Sequence, residues 1–103
     1  MESSFSIDAK KDKKQTALII SGELIINYIE KIKDSILKEV DFSNNLHIHV
    51  SNPSGMDITF IQLISSLQKT CQSKQVEFTL DCTLNEEIYT LASNAGFNNL
   101  FKL

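Results

Sequence analysis

The side chains able to do chemistry in this chain fall into a few groups, and most of them read as structure. Asp57 and Thr59 stand at the head of an apolar-periodic stretch. A carboxylate and a hydroxyl placed there can engage the N–H groups that every helix start leaves unpaired. His47 and His49 alternate along one strand and face the same way, but a metal centre needs three or four ligands, and the sequence offers no third His or Cys partner. They read as ordinary strand histidines. Cys71 and Cys82 have no Cys-x-x-Cys spacing and read as small buried hydrophobes rather than a redox pair. Glu86 and Glu87 suit the first turn of a helix, where its dipole favours acids. Asp41, Asp57 and Asp81 lie near connections between elements, without the paired acids at the end of the first strand that a magnesium site would use. Glycine occurs only at 22, 55 and 96, so no loop of closely spaced glycines is present to cradle a phosphate. No nucleophile–base pair follows from spacing. The chain is therefore expected to be no enzyme, with no catalytic residue, no metal ligand and no cofactor.

The elements that position these residues follow from periodicity. Ser3 to Ala9 alternates as a strand, Lys10 to Lys14 forms a charged turn, and Thr16 to Ser21 reads as a second strand whose apolar centre suits a sheet interior, ended by Gly22. Ile29, Ile32, Ile36, Leu37 and Val40 form the apolar stripe of a helix over 27–40, with Asn27 as N-cap and Glu30 reaching back to it. Leu46 to Ser51 is a third strand, with Leu46, Ile48 and Val50 on one face and the histidines on the other. Asn52 to Gly55 is a turn. The second helix opens at Asp57, its N-cap, and runs to about Ser73, burying Phe60, Ile64, Leu67 and Cys71; Met56 and Ile61 flank the cap as a hydrophobic staple. Val76 to Asp81 is a fourth strand. Thr83 and Glu86 form a capping box for a third helix, which buries Ile88, Leu91, Ala92 and Ala95 and stops at Gly96. The tail from Leu100 adds a short last strand or turn.

The expected order is β-β-α-β-α-β-α, possessing an initial hairpin and then parallel strands joined by right-handed helical crossovers. This is an α/β fold with a mixed, mainly parallel sheet and helices mainly on one face. At 103 residues the chain forms one core, a single domain over 1–103. Its 42% hydrophobic and 22% charged residues are the balance of a globular domain, and a net charge of −3 gives no reason to expect nucleic-acid binding. Met1 to Lys14 has no apolar signal-peptide core, and no apolar run reaches the roughly 18–20 residues of a membrane span, so a cytoplasmic protein without membrane insertion is expected. The lysines at 10, 11, 13 and 14 are interrupted by Asp12 and fit a solvated hairpin tip better than a lipid-binding patch.

Taken together, three landmarks resemble a STAS domain, the sulfate transporter and anti-sigma-factor antagonist family. Gly22-Glu23-Leu24 is similar to the family's Gly-Glu-Leu before the first helix. Met56-Asp57-Ile58-Thr59-Phe60-Ile61-Gln62-Leu63-Ile64 resembles its switch motif, in which Asp-Ser-Ser-Gly opens the second helix. Leu91 to Phe101 looks like its closing helix, glycine and terminal hydrophobics. The resemblance implies a bacterial regulator of transcription that binds an anti-sigma serine kinase, is phosphorylated by it on the first Ser of that motif, and is restored by a phosphatase. Here Ile58 matches that Ser and has no hydroxyl, Thr59 matches the second Ser, Phe60 replaces the Gly, and Ile25 stands where many members have Asp.

The expected partner-binding surface is thus Ser54, Gly55, Met56, Asp57, Ile58, Thr59 and Phe60, with Thr59 the candidate phosphoacceptor. A phosphate there would add roughly −1.5 to −2 charge beside Asp57, which opposes it, and at a helix start, which favours it. Capping alone also accounts for Asp57 and Thr59. The alternative function is a cytosolic STAS subunit seated on the ATPase of a membrane lipid ABC transporter, docking through the same helix start without phosphate turnover.

Overall fold

The computed structural model describes residues 4–83 and Thr90. Five strands and two α-helices follow in the order β1 (Phe5–Lys11), β2 (Gln15–Leu24), α1 (Ile29–Glu39), β3 (Asn45–Ser51), β4 (Gly55–Met56), α2 (Ile58–Ser73) and β5 (Phe78–Thr83), with a short 3-10 turn over Ile26–Tyr28 before α1. β1 and β2 are antiparallel, and β2, β3 and β5 run parallel, giving the sheet order β1-β2-β3-β5. β4 is a two-residue parallel addition to the end of β2. The sheet is therefore mixed and mainly parallel, as expected. The third helix and the tail expected after Thr83 lie outside the described residues.

Register sorts the sheet into two faces. Leu18, Ile48 and Leu80 are cross-strand neighbours, as are Ile20, Val50 and Cys82. These rows face α1 and α2, which supply Ile32, Ile36, Phe60, Ile61, Ile64, Leu67 and Cys71 to the same core. Burying each large side chain in such a core stabilises the fold by about 1.5–3 kcal/mol. The opposite rows, Asp8–Ile19–His49–Asp81 and Lys10–Ala17–His47–Thr79, are polar or half-exposed. The pattern in α1 is narrower than its sequence stripe, since Leu37 is exposed and only Ile32 and Ile36 are fully buried.

Several boundaries differ from the sequence expectation. β1 continues through Lys11 because the Asp12 carboxylate makes the turn by itself, accepting hydrogen bonds from the Lys14 and Gln15 N–H groups at 2.8 Å each. β2 continues through Gly22 to Leu24. Asn27 caps nothing: α1 begins after the 3-10 turn, with Tyr28 at the cap position and no side-chain cap bond. β5 starts at Phe78 because Gln75 and Val76 close α2. There the Val76 N–H reaches the Cys71 carbonyl at 3.0 Å and the Gln75 N–H the Gln72 carbonyl at 3.1 Å, with Gln75 in a left-handed conformation at φ 60°. This is the Schellman closure, made here without glycine.

Gly22 is the position where glycine is required. Its φ is +96°, and a Cβ added there would stand 2.6 Å from both the Phe5 Cα and the Ser4 carbonyl oxygen. Those are backbone atoms of the paired strand and cannot rotate away. Gly22→Ala is expected to destabilise the fold by at least about 2 kcal/mol, combining left-handed strain with the clash. Urea unfolding of the two proteins measures this, and an equal midpoint would refute the assignment.

Candidate functional site

The second half of β2 and the segment before α2 are joined residue by residue. Glu23 and Leu24 lie in register with Gly55 and Met56. The Ser54 N–H donates to the Gly22 carbonyl at 2.9 Å and the Asp57 N–H to the Leu24 carbonyl at 3.2 Å. The two sequence landmarks Gly22-Glu23-Leu24 and Met56-to-Phe60 are thereby one physical unit, a short parallel seam that delivers the chain to the start of α2. At Gly55 an added Cβ would make only ordinary contact, 3.6 Å from the Ile25 Cγ2, so Gly55 is not sterically required in the way Gly22 is.

Asp57 finishes the seam. Its backbone is extended, and its carboxylate does two things at once. Oδ1 accepts from the Thr59 N–H at 3.0 Å and from the Thr59 hydroxyl, capping α2 as expected. Oδ2 accepts from the Ile26 N–H at 2.8 Å, a contact spanning 31 residues of sequence. One side chain therefore ties the turn before α1 to the first turn of α2. Partial burial pushes the Asp57 carboxyl pKa up, but the bonds from the Thr59 hydroxyl and from the backbone N–H groups of Ile26, Thr59 and Phe60 outweigh it, so the carboxyl sits below its ordinary range.

The seven residues expected to form the contact surface divide by exposure. Ser54 and Ile58 are exposed, and Gly55, Asp57 and Thr59 are half-buried. Met56 and Phe60 are buried in the core, Phe60 completely, so they support the surface from beneath and offer nothing to a partner. Their burial follows from α2 geometry: Phe60, Ile61 and Ile64 share the face turned to the sheet, and Met56 packs into the same core. Ile26 was not anticipated from the sequence. It is 64% exposed, and Ile58 is 48% exposed. Each stands next to the Asp57 hook, giving two apolar side chains beside one carboxylate and one hydroxyl. Periodicity gave no signal for it, since Ile25 and Ile26 lie four and three residues before Ile29 and fall at the spacing of the α1 stripe.

The other candidates are placed elsewhere. His47 Nδ1 is hydrogen-bonded to the Thr79 hydroxyl at 2.5 Å, and its Nε2 lies 3.1 Å from an Asp81 carboxylate oxygen. His49 Nδ1 is hydrogen-bonded to the other Asp81 oxygen. Asp81 thus joins both histidines across β3 and β5. Among the described residues no group of three His, Cys, Asp or Glu side chains is spaced to hold a metal ion. Burial raises the pKa of the Cys71 thiol, and burial followed by the nearby Asp81 charge pushes that of Cys82 up to about 12, so both stay protonated at neutral pH. Among the described residues no helix is long and apolar enough to cross a membrane.

Residues 6–103 match the STAS domain family, and the chain belongs to it. Two solved structures are similar in fold. One is an anti-sigma-factor antagonist STAS domain from Rhodobacter sphaeroides, 14% identical, with a TM-score of 0.59 over 76% of this chain and 86% of that one. The other is the anti-sigma-factor antagonist SpoIIAA in its unphosphorylated form, also 14% identical, with a TM-score of 0.69 over 93% of this chain and 85% of that one. No curated protein matches the sequence.

Replacing Asp57 tests the hook. Asp57→Ala is expected to lower stability by about 1–2 kcal/mol, the usual range for losing an N-cap. Because the folded carboxyl titrates below its unfolded value of about 3.9, its contribution is present above that pH and is lost as pH falls through the folded value. Denaturant unfolding between pH 7 and pH 3 should therefore show the gap between wild type and Asp57→Ala closing on the acid side. A gap that stays constant or widens contradicts the assigned role.

Proposed function

We propose that this chain is a non-catalytic regulatory module, similar to an anti-sigma-factor antagonist, that binds a protein partner through the surface around the start of α2. The observation that carries the reading is that two exposed isoleucines adjoin Asp57, Ile26 through its N–H bond to the carboxylate and Ile58 as the next residue. Apolar side chains fixed by a rigid seam keep their geometry on binding, so less ordering entropy opposes association. The exposed isoleucines share this segment with the polar Ser54, Asp57 and Thr59, a mixture that suits a protein groove with a polar rim. The STAS family match and the two anti-sigma antagonists of the same fold support this class of partner. An anti-sigma serine kinase with an opposing phosphatase is the partner pair such a module would take in the cytoplasm of a bacterium.

Thr59 is the proposed phosphoacceptor. Its hydroxyl donates to Asp57 Oδ1, so phosphorylation removes that donor and sets a dianion against the carboxylate. The helix start compensates part of that repulsion for the phosphate itself. Asp57 keeps its bonds from the Ile26 and Thr59 N–H groups, but the repulsion acts against them, and the bond to the Ile26 N–H weakens. A modification at one hydroxyl would in this way disturb both halves of the apolar pair. A second reading, docking on the ATPase of a lipid ABC transporter without phosphate turnover, is favoured by one feature: Ile58 stands where the motif's first Ser would be.

The test uses the partner captured from the native cell and purified. Wild type, Ile58→Ser and Thr59→Glu are compared by titration calorimetry. Each substitution should weaken binding at least tenfold, about 1.4 kcal/mol. Mass spectrometry of the protein isolated from growing cells should find phosphate on Thr59. Unchanged affinity in both variants would reject the surface. Loss of binding in Ile58→Ser with phosphate never on Thr59 would favour the transporter reading.

A further inference from the structure

Hydrogen-bond parity along β1 identifies a second surface, opposite in the sheet from β5. The register of β1 on β2 is unbroken, from Phe5 opposite Gly22 to Lys11 opposite Thr16. At one end the Glu23 N–H donates to the Ser4 carbonyl, and at the other the Asp12 N–H donates to the Gln15 carbonyl. Both bonds use even-numbered residues of this first segment. In an antiparallel ladder, bonded and non-bonded pairs alternate. Residues 6, 8 and 10 therefore turn their backbone groups toward β2, while Phe5, Ile7, Ala9 and Lys11 turn theirs outward. Among the described residues, β1 pairs only with β2, so this outer row is an open edge. Beside it, between β1 and α1, runs an open groove of about 510 Å³ lined by Phe5, Ser6, Ile7, Ser35, Lys38 and Glu39. Phe5 and Ile7 are only half-buried there.

The charges on this strand select what the edge accepts. Asp8 and Lys10 lie on the sheet face away from the helices, beside the uncharged Ile19 and Ala17 of β2. Neither makes a side-chain hydrogen bond or ion pair among the described residues. Consider a second copy laid antiparallel along the edge. Centred on Asp8, it places Asp8 against Asp8. Centred on Lys10, it places Lys10 against Lys10. Centred on Ala9, it places each Asp8 opposite the other copy's Lys10, in two symmetric pairs. These fall at non-hydrogen-bonded positions, where facing Cα atoms are about 4.5 Å apart and side chains approach closest. In the same register the outward backbone groups of Ile7, Ala9 and Lys11 meet their counterparts.

We infer that β1 is a self-association edge, pairing antiparallel with β1 of a second copy about an axis through Ala9 and joining two sheets into one. The occupant is a second copy because the charge pattern complements itself in one register and opposes itself in the two adjacent ones. Charges on an edge strand ordinarily discourage pairing with other chains. Here the same charges discourage every sequence that lacks the matching pattern. The pairing centres on Ala9, opposite Leu18, whereas the start of α2 is held by the far end of β2 at Glu23 and Leu24, so a dimer centred there leaves Ile26 and Ile58 free for a partner. A short strand pair buries less than the roughly 1,600 Å² of a standard interface, so the dimer forms reversibly with concentration.

Sedimentation equilibrium on the full chain tests this, with Asp8→Lys, Lys10→Asp and the double swap Asp8→Lys/Lys10→Asp. Wild type should pass from one toward two chains as concentration rises. Either single change turns both pairs repulsive and should raise the dimer dissociation constant at least tenfold. The double swap should restore it. Amide exchange supplies a second readout: at high concentration the Ile7, Ala9 and Lys11 amides should slow, while those of residues 6, 8 and 10 stay protected throughout. A wild type that remains one chain at millimolar concentration overturns the inference. So does a dimer indifferent to both single charge changes, a double swap that fails to recover, or odd-numbered amides whose exchange does not depend on concentration.

Discussion

The arrangement at the start of α2 depends on a single short seam, the parallel pairing of Gly22–Leu24 with Ser54–Asp57. Main-chain bonds fix where α2 begins, and the Asp57 carboxylate carries the constraint across to Ile26. A helix start is normally a place where unpaired N–H groups fray into solvent. In this protein that end is fastened on two sides, by the sheet beneath and by the turn before α1. The surface it presents is consequently rigid, although it consists of loop and helix-terminal residues.

That rigidity explains how one small domain can offer both a scaffold and a switch. The core beneath, from Leu18 and Ile48 to Phe60 and Ile64, is close to fully buried and gives the seam a fixed base. The seam itself ends in a carboxylate whose acceptor positions are engaged by Ile26 and Thr59. A change at the Thr59 hydroxyl is felt at once by Asp57, and through Asp57 by Ile26. The coupling needs no movement of the core, only the redistribution of hydrogen bonds around one side chain. Such local charge events have a large readout when the groups they touch sit inside a binding surface.

The sequence made the sheet readable where one face alternates cleanly. Leu46, Ile48 and Val50 against His47 and His49 defined β3, and the Asp57 cap and apolar face of α2 were visible from spacing alone. The elements that were misplaced depend on groups that periodicity does not register. β2 passes through Gly22 because Ser4 and Phe5 approach it closely, a long-range contact. The start of α1 moved because Asp57, 31 residues away, holds the Ile26 N–H while the chain passes through a 3-10 turn, so Asn27 lies inside that turn and caps nothing. The same bond explains why Ile26 was missed in the site: its exposure is set by a partner distant in sequence. Met56 and Phe60 belong to the expected surface by their place in a motif, while the α2 spacing puts Phe60 on the buried face and the staple gives Met56 an apolar partner; the structure follows the spacing. Asp81 was legible as a strand end, yet its link to both histidines emerges only from the β3–β5 register.

The most direct measurement of the central claim is the exchange rate of the Ile26 amide proton, read by NMR in wild type and in Asp57→Ala. If the carboxylate fastens the two segments together, Ile26 exchanges at least tenfold faster in the variant while the amides of β3 keep their wild-type rates. An Ile26 rate that is the same in both proteins would mean that the hook does not hold the surface, and the account built on it would be wrong.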